Sequence, residues 1–325
     1  MGLLGRGLGE GGKEQTVWNA LLKSFHFGRK GLDAGRASLW ICLSLQLRGS
    51  ALLFGMSPSP LVCFTNLSTG FSRGGKVRVV GRELCGSLHT GSLVALIGSN
   101  GVGKSTLLRT LAGLQSALSG NLLWAGQPIR SLSSGELARM VSVVLTFRPA
   151  IDALTAGEVV EAGRIPHTSR FGGLSREDRA KVDEALELTG ASDFRNRPVL
   201  ALSDGERQRV FLAKALAQET PAILLDEPTA FLDFPSKIQI FSLLGHLAHM
   251  REKAVLVSTH DVEAALHFAD ELWVLTPAGL SAGSPWALAH DGTLGALFDA
   301  AGVRFDAEEM RFVYDGSHAH ARAYK

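Results

Sequence analysis

Long hydrophobic runs are absent from this sequence, which argues against a membrane-spanning protein. The longest run, Leu39 to Leu47, is interrupted by Ser44 and Gln46 and stopped by Arg48. A transmembrane helix needs roughly 20 consecutive apolar residues, so we expect no membrane span. The run also starts late, and no clear small-residue cleavage pattern follows Gly49, so we expect no secretory signal peptide. The sequence therefore predicts a chain that stays in the cytoplasm.

Cysteine pairs and excess charge are also lacking. Cys42, Cys63 and Cys85 form no CxxC pair and no Cys/His cluster. We therefore expect reduced, unpaired thiols, which fit a reducing compartment. The 33 basic and 31 acidic residues leave a net charge of +2, which argues against a broad polybasic surface for nucleic acid or anionic lipid. With 325 residues, 46% of them hydrophobic, the chain can bury a full core.

The chain divides into segments of different character. Residues 1–55 begin with a glycine-rich stretch and form a predicted N-terminal extension, which is either disordered or not native. In the second case Met56, at the start of MSPSP, is the natural initiator. Residues 56–290 form the predicted main domain, with an inserted helical subdomain over about 147–200, and residues 291–325 form a C-terminal tail.

Short apolar runs in the main domain predict buried parallel strands. The predicted strands are Leu93 to Ile97, Val141 to Leu145, Ala222 to Leu225, Ala254 to Val257 and Leu272 to Leu275. Helical stretches separate them, and the clearest is SREDRAKVDEALELTG, in which Ser175 and Asp178 form a capping box and Gly190 ends the helix. This alternation of strands and helices predicts an α/β fold.

A phosphate-binding loop directly follows the first of these strands. The segment GSNGVGKST matches the pattern GxxxxGK[ST] and leads into a helical stretch. Backbone N–H groups of such a loop surround phosphate oxygens, and the positive end of the helix adds to the attraction. We expect Lys104 to reach the β- and γ-phosphates and Ser105 to offer its hydroxyl to Mg²⁺. The predicted nucleotide contacts are Gly98, Ser99, Asn100, Gly101, Val102, Gly103, Lys104, Ser105 and Thr106.

Two adjacent carboxylates end the strand-like stretch AILLDE. The carboxyl edge of a parallel sheet is where ligands bind, so Asp226 and Glu227 are expected beside the loop. We predict that Asp226 binds Mg²⁺ through its water shell and that Glu227 polarises the attacking water as a general base. The alternative is a solvated acidic turn.

A further set of motifs indicates a family. The segment LSDGERQRV, together with ILLDEP and STHD, resembles the motif set of ABC transporter ATPases, over nearly everything from about Leu61 to Leu275. The resemblance implies a P-loop NTPase core of the RecA-like, ABC ATPase type, with an antiparallel β subdomain and an inserted helical subdomain. It implies ATP and Mg²⁺ as cofactors and a homodimer in which two copies sandwich two ATP molecules.

The resemblance also implies roles for individual residues. Ser203 and Gly205 match the positions that close over the γ-phosphate held by the second copy, and Asp233 matches the loop that touches that copy. His260 matches the residue that contacts the γ-phosphate, and Phe71 the aromatic that stacks on adenine. A structural alternative stays open for three of these residues, as a helix cap for Ser203, as a core histidine for His260 and as a core aromatic for Phe71.

Three positions depart from the family pattern. Asp204 stands in place of a glycine and Glu206 in place of a glutamine. Thr146 occupies the position of the glutamine that contacts Mg²⁺ and the water, where its shorter side chain reaches the metal through water. The residues expected to bind the phosphates and hydrolyse ATP match the family without substitution; they are Lys104, Ser105, Asp226, Glu227 and His260.

Two more segments indicate a group within the family. EVVEAGRIPHTSRFGGLS and GTLGALFDAAGVRFD resemble ATPases that serve iron-siderophore, haem and cobalamin importers. The resemblance implies an ATP-hydrolysing subunit on the cytoplasmic face of the inner membrane, acting on separate permease subunits and indirectly on an extracytoplasmic substrate-binding protein. The alternatives are the ATPase of an exporter and a soluble ABC ATPase acting on nucleic acid or ribosomes, which usually carries a long coiled coil or tandem cassettes.

Overall fold

The computed structural model describes residues 59–74, 76–145, 154–168, 173–230, 232–298 and 303–314. The predicted extension over residues 1–55 lies outside these described residues, and so do Cys42 and Thr146. In the described part Cys63 and Cys85 carry free thiols. No helix there combines the length and the apolar character that crossing a membrane requires.

Six strands form the central sheet. They are β3 (Ser92–Ile97), β6 (Val141–Val144), β7 (Ala222–Asp226), β8 (Ala254–Ser258), β9 (Glu271–Thr276) and β10 (Gly279–Gly283). Their spatial order is β10-β9-β3-β8-β7-β6, and all neighbours run parallel except β10 and β9. The predicted parallel strands are confirmed to within one residue at each end, because each apolar run is buried on both faces of the sheet.

A second sheet is antiparallel, as the family resemblance implied. Its strands are β1 (Val62–Arg73), β2 (Lys76–Leu88), β4 (Ser119–Trp124) and β5 (Gln127–Pro128), in the order β2-β1-β4-β5. Helix α1 (Lys104–Leu111) packs in one buried cluster with this sheet and the central sheet. The Trp124 indole N–H donates to the Leu111 carbonyl at 2.9 Å, so the end of α1 is tied to β4.

The remaining helices complete the core and the helical part. They are α2 (Ser134–Met140), α3 (Ala156–Glu161), α4 (Arg176–Leu188), α5 (Asp204–Ala217), α6 (Phe234–Met250), α7 (Val262–Phe268), α8 (Pro285–His290) and α9 (Thr293–Phe298). A second core cluster joins α5, α6, α7 and α8 to the central sheet. In the tail, β11 (Val303–Asp306) and β12 (Arg311–Tyr314) form a hairpin, and Phe305 packs against this cluster.

The helical part has its own buried cluster, formed by α3, α4 and α5. The predicted capping box of α4 is present, with the Ser175 hydroxyl accepting from the Asp178 N–H. The cluster extends beyond residue 200, because Val210, Ala213 and Ala217 of α5 supply one of its faces. Helix α5 is therefore shared between the helical part and the core cluster.

The segment GRIPH, residues 163–167, contacts both α4 and α5. A Cβ on Gly163 would lie 2.4 Å from the Lys214 carbonyl oxygen, so only glycine fits against α5 at this point. The buried Arg164 donates to Asp178 at 2.9 Å and to the Ala217 carbonyl at 2.7 Å. Gly163 and Arg164 therefore have a structural role within the helical part.

The close approach at Gly163 predicts a stability effect. Gly163→Ala should lower the free energy of unfolding by about 1–3 kcal/mol, because the new methyl group meets a backbone carbonyl that cannot rotate away. Urea denaturation followed by circular dichroism measures this difference.

Gly245 offers the matched control. It lies inside α6 with nothing within 4 Å of its Cβ position. Gly245→Ala should therefore raise stability by about 0.5–1 kcal/mol, as in an open helix interior. Equal effects of the two substitutions would contradict the packing argument.

Candidate functional site

Three neighbouring strands end at the same edge of the central sheet. β3, β8 and β7 run parallel and adjacent, so the residues that follow them meet there. The loop over residues 98–103 follows β3, Asp226 is the last residue of β7, and Ser258 is the last residue of β8. The predicted position of the two carboxylates beside the loop is therefore confirmed.

Close packing shapes the loop itself. Gly98 has φ +155°, and a Cβ there would lie 2.4 Å from the Leu275 carbonyl oxygen. Gly103 has φ +117°, in the left-handed region, and a Cβ there would meet the Val80 side chain at 2.5 Å. Among the described residues no side chain caps the start of α1, which leaves the first N–H groups of this helix to an anion.

Lys104 points back into the loop. Its ammonium donates to the carbonyl oxygens of Gly98 at 2.8 Å and of Ser99 at 3.3 Å. Burial lowers the pKa of Lys104, and the negative charges of Glu227 and Asp226 partly counteract this. A cation held at the centre of an N–H-rich loop favours the binding of phosphate groups.

Asp226 is almost fully buried and accepts two hydroxyl hydrogen bonds on one oxygen. Ser105 donates to its Oδ1 at 2.9 Å, and Ser258 donates to the same atom at 2.8 Å. A hydroxyl and a carboxylate held together are oxygen donors of the kind that Mg²⁺ prefers. The predicted metal ligands Ser105 and Asp226 are thus brought into contact.

Glu227 and His260 form a second polar pair at this edge of the central sheet. His260 Nε2 lies 2.6 Å from Glu227 Oε1. Glu227 has φ +52°, an unusual left-handed conformation for a residue with a long side chain. Its N–H donates to the Ser258 carbonyl and to the Ser258 hydroxyl, both at 3.1 Å. The side chain of Glu227 is only partly buried, so water can reach its carboxylate.

A cleft of about 230 Å³ opens over these groups. Phe71 of β1 and Arg78 of β2 are cross-strand partners, and both line the cleft. An exposed aromatic ring at this place can stack on a planar base. The lining residues are Phe71, Arg78, Val80, Asn100, Gly101, Gly103, Lys104, Ser105, Thr106, Glu227 and His260.

Ser203, Gly205 and Asp233 are not among the described residues that line this cleft. Ser203 begins α5, where its hydroxyl accepts from the Glu206 N–H at 3.3 Å, and Asp233 begins α6, where it accepts from the Ser236 N–H at 3.1 Å. The capping geometry expected for Ser203 is therefore present.

Sequence reasoning missed two residues of the site. Ser258 is the first residue of the STHD motif, but only the strand pairing with Asp226 reveals its contacts. Arg78 lies in a segment without a motif, and the register of β1 with β2 is what brings it opposite Phe71. Both contacts depend on strand pairing, which no short sequence motif reveals.

The chain resembles known proteins. A family model described as ABC transporter matches residues 81–230. The cobalamin import ATP-binding protein BtuD of Halobacterium salinarum is 42% identical over 215 residues, which are 66% of this chain and 54% of that protein. The chain thus spans about half the length of this relative. The iron(3+)-hydroxamate import ATP-binding protein FhuC of Bacillus subtilis is 39% identical over 192 residues, which are 59% of this chain and 71% of that protein.

A solved structure shows the same architecture. The dimeric ATP-binding cassette MJ0796, in a post-hydrolysis state bound to ADP and Pi, aligns with a TM-score of 0.61 and 29% identity. The alignment covers 69% of this chain and 98% of that one. The predicted P-loop NTPase fold of the ABC ATPase type is thereby confirmed.

The position of Lys104 predicts its role in polyphosphate binding. Lys104→Met should weaken the binding of a fluorescent ATP analogue at least about tenfold, because it removes the only lysine among the described residues that line the cleft. Fluorescence titration without metal measures the affinity.

Lys253 provides the matched control. Its partly buried ammonium also donates to a backbone carbonyl, that of Thr220 at 2.7 Å, but it does not line the cleft. Lys253→Met should leave the affinity unchanged. Equal losses in the two variants would show that the charge of Lys104 has no specific role.

Proposed function

Because this chain belongs to the ABC transporter family of ATP-binding proteins, we propose that it hydrolyses ATP and powers import through a separate membrane permease. One observation carries this proposal. Lys104, Ser105, Asp226, Glu227 and His260 come from separate segments and converge at one edge of the sheet. Their arrangement provides a phosphate cradle, oxygen ligands for a metal and a general base in one place.

The first part of the mechanism is the binding of the nucleotide. The loop N–H groups and Lys104 bind the β- and γ-phosphates, and the ring of Phe71 stacks on the base. The hydroxyl of Ser105 and the carboxylate of Asp226, 2.9 Å apart, fit the ligand chemistry of Mg²⁺. When bound there, this ion would offset the charge of the phosphates during the reaction. ATP with Mg²⁺ is therefore the proposed cofactor pair.

The second part is the activation of water. The Glu227 carboxylate takes a proton from the attacking water, whose oxygen forms a bond to the γ-phosphorus while ADP leaves. His260 Nε2, at 2.6 Å, holds the carboxylate in the cleft before the nucleotide arrives. With ATP bound, we propose that His260 turns to the γ-phosphate.

The third part is the closure of a homodimer. Ser203, Gly205 and Asp233 lie away from the cleft of their own chain, so they are free to face the nucleotide of a second copy. ATP bound between two copies favours the closed dimer, and hydrolysis permits reopening. We propose that this motion drives a permease, with the ATPase held at the cytoplasmic face of the inner membrane.

The proposed cargo is an iron-siderophore or a related metal chelate, delivered by an extracytoplasmic substrate-binding protein. Support comes from the similarity to ATP-binding proteins named for the import of cobalamin and iron(3+)-hydroxamate. The GRIPH segment, which resembles the same group, packs within the helical part, so the support for this cargo comes from the group and not from a contact of GRIPH with cargo.

Removal of the proposed base gives a test of hydrolysis. Glu227→Gln should lower ATP turnover by about 10²–10⁴-fold, because the amide cannot accept the proton from water. ATP binding should persist, and the bound nucleotide should trap a dimer that light scattering detects.

Glu252→Gln is the matched control, since Glu252 has the same left-handed backbone, with φ +50°, but lies outside the cleft. It should keep the wild-type rate. Wild-type turnover in Glu227→Gln would refute the assignment of the base.

A separate test addresses import. The tagged protein should co-purify from membranes with a permease that has several membrane spans, and this permease should raise its ATP turnover. Salt-sensitive DNA binding without any permease would instead favour a soluble ABC ATPase acting on nucleic acid.

A further inference from the structure

Ser258 lies at the centre of the hydrogen bonds that join the two acidic residues of the site. It is the last residue of β8, fully buried, and the direct partner of Asp226 in the pairing of β8 with β7. Its hydroxyl donates to Asp226 Oδ1 at 2.8 Å and accepts from the Glu227 N–H at 3.1 Å. One hydroxyl is thus engaged with both residues at once.

The bond to Asp226 fixes the direction of the carboxylate. The same oxygen also accepts from Ser105, which is the proposed metal ligand and lines the cleft. Ser258 is fully buried and is not among the described residues that line the cleft. We expect its hydrogen bond to keep the carboxylate oriented when Ser105 turns to a metal.

The bond to Glu227 supports a strained backbone. Left-handed residues other than glycine persist only where their surroundings hold them. The N–H of Glu227, at φ +52°, donates to both the hydroxyl and the carbonyl oxygen of Ser258. This backbone conformation sets the direction in which the Glu227 side chain enters the cleft, where it meets His260.

We propose that Ser258 is a positioning residue for ATP hydrolysis, whose buried hydroxyl aligns Asp226 for the metal and Glu227 for the attacking water. The hydroxyl donates a hydrogen bond to the Asp226 carboxylate and accepts one from the Glu227 N–H, so its single donor is engaged with the carboxylate. The inference rests on the proposed ATPase function. Ser258 acts through its two neighbours and touches neither nucleotide nor water.

Two substitutions that are isosteric with each other distinguish the effect of the hydroxyl from the effect of side-chain packing. Ser258→Thr and Ser258→Val have the same branched shape, and only threonine keeps the hydroxyl. Turnover should be about 10–100-fold lower in Ser258→Val than in Ser258→Thr, as for the loss of other groups that orient metal ligands. Ser258→Ala removes the hydroxyl without adding atoms, and it serves if valine prevents folding. It should show the same loss relative to threonine.

Metal binding gives a readout that does not depend on turnover. Mn²⁺ is titrated in the presence of a non-hydrolysable ATP analogue, and free Mn²⁺ is followed by electron paramagnetic resonance. Its affinity should be about tenfold lower in Ser258→Val than in Ser258→Thr. Binding of the analogue in EDTA should be equal in the two variants, because Ser258 does not line the cleft.

Ser142 provides a matched pair of controls. It is a fully buried strand serine on β6, and its hydroxyl lies 3.5 Å from the Ala222 carbonyl without a contact to either acidic residue. Ser142→Thr and Ser142→Val should have equal turnover and equal Mn²⁺ affinity.

The outcomes are distinguishable. If the wild type hydrolyses ATP and the threonine and valine variants at Ser258 behave alike, Ser258 has only a packing role and the inference fails while the ATPase function stands. If the wild type shows no turnover, the proposed function itself fails.

Discussion

The burial of the Asp226 carboxylate constrains the whole edge of the sheet. A charge in this position is costly unless donors satisfy it, and a buried carboxylate left alone would be protonated or destabilise the fold. The donors come from Ser105 at the start of α1 and from Ser258 at the end of β8. A single carboxylate therefore joins three elements, β7, β8 and α1. The loop before α1 and the residues after β7 and β8 are thereby held at fixed relative positions. The chemistry of the cleft depends on this junction.

Helix α5 connects that junction to the rest of the chain. Its N-terminus carries Ser203, and the carbonyl of its last residue, Ala217, accepts from Arg164 in the GRIPH segment. Its sides complete both the helical cluster and the core cluster. A movement of the helical part therefore carries Ser203 with it. In the proposed homodimer, this coupling would let the nucleotide held by one copy shift the helical part of the other.

The local patterns and the position of the two carboxylates beside the loop were predicted from the sequence, whereas several packing contacts were not. Buried strands and capping boxes could be read from short segments, because burial on both faces and the geometry of a helix start impose residue types nearby in sequence. The contacts of Ser258, the pairing of Phe71 with Arg78 and the fit of Gly163 against α5 depend on strand order or helix packing. No short segment encodes those distances. The assignment of GRIPH to a transporter group rested on resemblance, whereas its packing role required the neighbouring carbonyl of Lys214.

The acidic departures in LSDGERQRV add two carboxylates to the first turn of α5. Hydrogen bonds from Ser203 lower the pKa of Glu206, so this side chain is ionised, but Arg197 lies 2.9 Å from its carboxylate. Asp204 lies 3.6 Å from Arg207, so both added charges have a cationic neighbour. In the other described capping boxes, at Ser133, Thr155 and Ser175, the hydroxyl donates to the carboxylate of the box at 2.6–2.9 Å. At Ser203 the hydroxyl accepts from the Glu206 N–H at 3.3 Å, and it is also hydrogen-bonded to the Glu206 side chain. Ser203 therefore makes the same capping box as the other three serines and threonines, and the arginines beside Glu206 and Asp204 offset the negative charge that these two residues add at the start of α5.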